Sequence, residues 1–224
     1  MCSGQRSGAT LRSFMDELSV ENRQIVRRAC ANLANEFVGV CGPETVERCV
    51  ADSLSQLTPT ATIPTFLPLL AERFARERLR AMAGVQSDRG GPPGVVFLCA
   101  HNAGRSQIAA AWLRHLCPET VMVWSAGTEP AAQVSDVVTT VLAEVGIDIT
   151  GEFPKPWTDE VIEATDVIVT MGCGEACPIL PGKRYEDWVL LYDIGQGVEH
   201  ARAARDEIRG RVEKLAVSLR LGVR

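Results

Sequence analysis

No apolar run in the chain reaches the roughly 20 residues that a membrane-spanning helix requires. Positive charge is not in excess either: 23 Lys and Arg face 28 Asp and Glu, a net charge of −5. This balance argues against nucleic acid as the main partner. The first residues, Met1–Arg6, contain no apolar signal-peptide core. These absences predict a cytoplasmic protein that binds neither a membrane nor nucleic acid, so any affinity for an anion must come from a local site.

The chain contains eight cysteines, and without an export signal we expect them to be reduced. Cys30, Cys49 and Cys117 fall within helix-like apolar patterns. Because free cysteine behaves as a small hydrophobic residue, these three are predicted to be buried and structural. Cys99, Cys173 and Cys177 lie outside these helix-like patterns.

Composition divides the chain into four parts. Residues 1–9 are polar and contain Gly and Ser, which predicts a disordered tail. Residues 10–83 carry apolar residues at helical spacing in three stretches, which predicts a small three-helix bundle that serves as a dimerisation or interaction module. Residues 84–94 are rich in Gly and Pro and predict a linker. Residues 95–224 form the second domain.

Strand-like and helix-like segments alternate in the second domain, which predicts an α/β fold with a parallel, Rossmann-like sheet. The predicted strands cover 95–99, 121–125, 166–171 and 188–192, and the predicted helices cover 105–116, 133–145, 158–164 and 199–220. Ligands of such sheets bind beyond the carboxyl ends of the strands. Cys99 and the segment Thr170–Met171 both lie at such ends, so we expect them to meet.

The segment Cys99–Ser106 carries the clearest chemical signal. It follows the apolar run Val95–Leu98 and precedes a helix-like segment, so a strand, a tight loop and a helix N-terminus converge on one thiol. Loop N–H groups and the helix dipole favour an anion there, and Arg105 offers a planar fork that matches a tetrahedral oxyanion. The same field favours the thiolate of Cys99, to which Ser106 can donate a hydrogen bond.

Cys99–Ser106 resembles the phosphate-binding loop of the low-molecular-weight tyrosine phosphatase superfamily, and more narrowly that of its arsenate reductase branch. The resemblance covers roughly residues 94–220 and includes Trp124–Gly127, Val167–Met171, Cys173–Gly182 and Tyr185–Trp188. It implies a phosphatase-like fold and arsenate as substrate, with Cys99 as the nucleophile. The residues that it implies for binding the oxyanion are Ala100, His101, Asn102, Ala103, Gly104, Arg105 and Ser106.

Cys173 and Cys177 follow a predicted strand and are interpreted as a redox pair. A zinc site would need a second Cys or His pair at ligand spacing, and the sequence has none. A thiol relay is therefore favoured. The resemblance implies that a relay disulfide forms between Cys173 and Cys177 and that thioredoxin, an external reductant, resets it without any bound cofactor. The order of the two cysteines and the choice between thioredoxin and a low-molecular-weight thiol stay open.

The sequence departs from the superfamily at the general acid. The family places Asp-Pro after the Asp-Trp segment, whereas here Tyr192 aligns with the Asp and Asp193 with the Pro. Asp193 is predicted to be the acid, and Tyr192, a weaker acid, is the alternative. Some members bind potassium near the loop, but one acidic ligand of that site corresponds to Ala110, so no metal is predicted.

A low-molecular-weight tyrosine phosphatase acting through a Cys99 phosphocysteine is the alternative function. The loop alone allows it. The missing Asp-Pro and the low aromatic content of 5% argue against it. Activity that survives the loss of Cys173 and Cys177 would support it.

Overall fold

A computed structural model describes residues 15–16, 18–86, 91–172 and 181–222. The chain divides into two compact units, Met1–Gln86 and Ser87–Arg224. The predicted tail 1–9 lies outside the described residues, as do residues 87–90 of the predicted linker, Cys173 and Cys177.

In the described residues of the first unit, the three long α-helices are α1 (Val20–Glu36), α2 (Pro43–Leu57) and α3 (Leu67–Gln86). Ser19 caps α1, its side chain accepting a hydrogen bond from the Asn22 N–H at 3.2 Å. Each helix buries one apolar stripe against the other two. The predicted bundle is therefore present in this unit. The helix α3 continues to residue 86, so the predicted start of the linker at residue 84 was wrong; after Pro68, in the first turn of α3, the next proline is Pro92, so none ends the helix earlier.

The second unit contains one parallel sheet in the described part of the chain. Its strands are β1 (Gly94–Cys99), β2 (Met122–Gly127), β3 (Val167–Thr170) and β4 (Arg184–Asp187), in the order β2-β1-β3-β4. Every residue of β1 is buried, as expected of a central parallel strand covered on both faces. The predicted α/β fold class is confirmed.

Helices cover the sheet of the second unit: α4 (Arg105–Leu116), α5 (Asp136–Ala143), α6 (Asp159–Glu163) and α7 (Val198–Ser218). The helices α4 and α7 pack against each other, and their buried side chains form one hydrophobic core with side chains of β1 and β3. Within the described ranges, no helix is long and apolar enough to cross a membrane.

The predicted strand 188–192 was wrong. The strand of this region is β4, at 184–187, and two of the apolar residues that follow it are exposed, with Val189 72% and Leu191 83% accessible. An edge strand has a neighbour on one side only and tolerates charged residues, so the polar segment Arg184–Asp187 carried no apolar signal. The apolar segment after it instead forms part of a cleft wall.

Candidate active site

The loop between β1 and α4 is held by its carbonyl groups. The backbone N–H groups of Thr128, Glu129, Ala131 and Ser135 donate to the carbonyls of residues 99, 100, 101 and 103 at 2.8–3.2 Å. In the described structure, the N–H groups of residues 100, 101, 103 and 104 donate to no protein acceptor. Unengaged N–H groups in a tight loop before a helix N-terminus form an anion-binding cradle.

The Asn102 side chain braces this loop from inside. Asn102 is fully buried with a φ of 48°, a left-handed conformation that asparagine tolerates better than most residues. Its Oδ1 accepts from the Lys155 backbone N–H at 3.0 Å and from Gln107 Nε2 at 3.3 Å. Because a backbone N–H can only donate, the amide must present Oδ1 to Lys155. The Asn102 Nδ2 then donates to Ser106 Oγ at 2.9 Å.

This orientation determines the direction of the next hydrogen bond. Ser106 Oγ lies 3.0 Å from Cys99 Sγ. Since the Asn102 amide already donates to that hydroxyl oxygen, the Ser106 hydrogen is free to point at the sulfur. The Asn102 backbone N–H also donates to Cys99 Sγ at 3.2 Å. Two donors thus face the sulfur of Cys99, a residue that is only 3% exposed, and both can stabilise negative charge on a sulfur that acts as a nucleophile.

Arg105, the first residue of α4, has no carboxylate or carbonyl partner among the described residues. Its guanidinium lies against Gly172, where a Cβ atom would come 2.5 Å from Arg105 Nη1. Arg105 and Cys99 both line the same cleft. An unpaired guanidinium beside an unengaged N–H cradle is the arrangement that a tetrahedral oxyanion requires.

The cleft has a volume of about 590 Å³ and is open to solvent. The loop forms one wall, with His101, Ala103 and Gly104, and residues 190–195 form the other. Asp193 lies on this second wall, where its Oδ1 accepts from the Gly195 N–H at 2.9 Å. Tyr192 lies beside it, and its ring meets that of His200 edge-on at 6.4 Å. The structure therefore brings both candidate acids to the cleft that contains Cys99.

The three thiols that were predicted to be structural are buried. Burial and the nearby Glu47 carboxylate raise the pKa of the Cys30 thiol to about 11, and burial also raises the pKa of Cys117. Neither residue lines the cleft. Among the thiols that the structure describes, Cys99 is the one that lies in the anion cradle.

Three residues of the site were not predicted from the sequence. Gln107 donates through Nε2 to the carbonyl of Asn102 at 3.0 Å, Lys155 supplies the backbone N–H that orients Asn102, and Gly172 contacts Arg105. Only Gly172 carried a signal, as a glycine directly after a strand. Within the described ranges, no three His, Cys, Asp or Glu side chains are grouped as metal ligands.

The sequence matches two family descriptions. Residues 26–83 match the protein-tyrosine-phosphatase-like N-terminal domain, and residues 94–208 match the low molecular weight phosphotyrosine protein phosphatase. The chain belongs to the low-molecular-weight phosphotyrosine protein phosphatase family. The resemblance predicted from Cys99–Ser106 is thereby confirmed.

Individual relatives are named as arsenate reductases. The solved structure of a thioredoxin-dependent arsenate reductase from Corynebacterium glutamicum is 42% identical, covers 88% of this chain and 97% of its own, and has a TM-score of 0.78. A putative arsenate reductase of Halobacterium salinarum is 33% identical over 124 residues, 53% of this chain and 87% of its own. A glutaredoxin arsenate reductase of Synechocystis is 32% identical over 128 residues, 56% of this chain and 97% of its own.

Replacement of Ser106 by Ala should slow alkylation of Cys99 by iodoacetamide at pH 7. A hydrogen bond to a charged group contributes roughly 1.5 kcal/mol, so we expect about a tenfold lower rate, measured by mass spectrometry of the Cys99 peptide. Ser125→Ala is the matched control, because Ser125 is buried and its hydroxyl has no partner among the described residues. Equal rates in Ser106→Ala and wild type would contradict the assigned donor.

Proposed function

We propose that this protein reduces arsenate to arsenite, with Cys99 as the nucleophile. The observation that carries the proposal is the cradle itself: a buried thiol that receives two hydrogen bonds, beside loop N–H groups and an Arg105 side chain that have no partner among the described residues. The 42% identity with a thioredoxin-dependent arsenate reductase over most of the chain supports the choice of oxyanion.

The reaction divides into an attack and a relay. The Cys99 thiolate attacks the arsenic atom of an arsenate held by Arg105 and the loop N–H groups, and the displaced oxygen leaves as water. A second thiol then attacks Cys99 Sγ, and the electron pair of the breaking S–As bond reduces arsenic to arsenite. We assign the second thiol to Cys173, which is thereby joined to Cys99 in a disulfide, and the third to Cys177. Cys177 attacks the sulfur of Cys173, which breaks the 99–173 bond, releases Cys99 as a thiolate and leaves a 173–177 disulfide.

A protein dithiol is the proposed reductant of that disulfide. Thioredoxin fits the relative from Corynebacterium glutamicum, whereas the relative from Synechocystis is named for glutaredoxin. The cleft rim favours a protein partner over a small thiol. Leu191 is an exposed apolar side chain that lines the cleft, and Val189, two residues before it, is exposed as well. Their backbone is held by Arg211, which donates to the Val189 carbonyl at 2.6 Å, and by Glu207, which accepts from the Leu191 N–H at 3.1 Å.

Arsenate-dependent oxidation of NADPH, coupled through thioredoxin and its reductase, tests the relay. Wild-type protein should turn over, and Cys99→Ser and Cys177→Ser should each lose roughly a thousandfold or more in kcat, because a sulfur that forms a covalent intermediate has no substitute. Cys41→Ser, a half-buried turn cysteine outside the cleft, is the control and should match wild type.

Three results of the same assay would change the proposal. Turnover with glutathione and glutaredoxin but not with thioredoxin would assign the other reductant. Turnover that survives Cys177→Ser would mean that another thiol closes the cycle. Absence of arsenate reduction, together with hydrolysis of an aryl phosphate, would make the protein a phosphatase that acts through a Cys99 phosphocysteine.

Asp193 is the proposed general acid that protonates the departing oxygen. It lines the same cleft as Cys99, and its bond to the Gly195 N–H keeps the carboxylate at the start of a short 3-10 turn, 194–196. The ring of Tyr192 is instead turned edge-on to His200. A carboxylic acid is also the stronger proton donor of the two.

Asp193→Asn separates the two candidate acids, because Asn keeps an oxygen that can accept from Gly195 but carries no transferable proton. We expect kcat for arsenate to fall about a hundredfold or more, the usual loss when a general acid is removed. Tyr192→Phe is the matched variant and should retain activity within about twofold. The reverse pattern would assign the acid to Tyr192.

We propose that residues 10–83, which lie within the first unit, form a dimerisation module. Three apolar side chains at the entry to α3 are largely exposed: Ile63, Phe66 and Leu69, at 54%, 54% and 46%. Exposed apolar side chains close together in sequence on a helical module are suited to pairing with their own copies across a two-fold axis.

Phe66→Asp should therefore turn a dimer into a monomer, as measured by light scattering on full-length protein. The reason is that a charge placed at the centre of a desolvated contact has no partner there. Val38→Asp is the control, since Val38 is 75% exposed in the turn after α1. A monomeric wild type, or a Phe66→Asp protein that remains dimeric, would contradict this assignment.

A further inference from the structure

We propose that Gly172 is a positioning residue for Arg105. Gly172 has a φ of 75°, and a Cβ atom on it would lie 2.5 Å from Arg105 Nη1, 3.5 Å from Cζ and 3.6 Å from Nη2. All three distances are to atoms of one guanidinium group. A side chain on residue 172 would therefore collide with the guanidinium of Arg105.

An ion pair with a carboxylate would fix a long, flexible side chain, but within the described residues Arg105 has none. Such a carboxylate would also compete with the oxyanion for the guanidinium. A bare backbone surface confines the group without neutralising it, which is what an anion site needs.

The topology explains why this glycine stands beside the loop. The strand β3 pairs with β1, and directly after β3 the Met171 N–H donates to the Leu98 carbonyl at 2.7 Å. Leu98 precedes Cys99, so this bond brings the next residue of the β3 segment, Gly172, to the start of the cradle. In sequence, Gly172 also directly precedes Cys173, the proposed second thiol.

A side chain at residue 172 should therefore affect binding more than folding. The guanidinium is the far end of a flexible side chain, so it can swing away from an added methyl group while the backbone stays in place. Arg105 would then no longer point at the oxyanion. Catalytic and binding groups displaced by about 1 Å can lose on the order of a hundredfold in rate.

The sequence contains a matched control for backbone strain. Gly182 has a φ of 82°, close to that of Gly172, but no atom lies within 4 Å of where its Cβ would be. Gly172→Ala and Gly182→Ala thus impose similar left-handed strain on an L-residue. Only the first introduces a contact with Arg105.

Binding of inorganic phosphate to full-length protein, measured by isothermal titration calorimetry, tests the proposal. We expect the Kd to rise about tenfold or more in Gly172→Ala, because the displaced fork loses its aligned hydrogen bonds, and to stay within about twofold of wild type in Gly182→Ala. The KM for arsenate should rise in parallel, since the same guanidinium binds both oxyanions. Equal effects in both variants, or no effect in either, would overturn the assignment.

A double variant covers the case in which Gly172→Ala fails to fold. If the added methyl group collides with the guanidinium, then Arg105→Ala/Gly172→Ala regains a cooperative urea transition; continued unfolding would overturn the proposal. The inference rests on the proposed oxyanion site but not on arsenate reduction. If wild-type protein binds phosphate but does not reduce arsenate, the proposed function is wrong. The role of Gly172 in positioning Arg105 can then still be tested by phosphate binding.

Discussion

The hydrogen bond from the Lys155 backbone N–H to the Asn102 side chain is the contact on which the active-site arrangement depends. It comes from a segment more than fifty residues away and permits only one orientation of the Asn102 amide. That orientation sends a donor to Ser106, which leaves the Ser106 hydrogen for Cys99 Sγ. A main-chain group thus controls the hydrogen bonding of the nucleophile through two side chains, each of them buried and satisfied.

The electrostatic potential at the active site depends on which arginines are paired with nearby carboxylates. The chain is acidic overall, with a net charge of −5, and several of its other arginines are paired with carboxylates. Arg202 lies 2.6 Å from Glu144, and Arg114 lies 2.9 Å from Glu152. Arg105 differs from them in having no such partner among the described residues. Positive potential is therefore concentrated where the loop N–H groups converge, and an anion can be attracted there without a basic surface.

The strand–loop–helix unit around Cys99 could be predicted in detail, and the helix at 105–116 was predicted with its observed bounds. Its signals are local: an apolar strand, a tight loop and a helix start. The prediction at 188–192 failed for a related reason. Apolar residues such as Val189 and Leu191 carry the same local signal whether they enter a sheet or stand exposed at a cleft rim. Only the neighbouring strands decide which of the two occurs.

The sequence by itself determined the reactive thiol, the arginine and serine at their spacing from it, and the alternation of elements that forms a parallel sheet. These properties follow from residue order over short stretches, where backbone geometry leaves few choices. Tertiary structure alone decided that the Lys155 backbone N–H orients Asn102. It also decided that residues 190–195 form the cleft wall opposite the Cys99 loop, and that Gly172 contacts Arg105. Each of these contacts joins segments far apart in sequence, and its geometry depends on strand register and helix packing, which no local pattern of residues encodes.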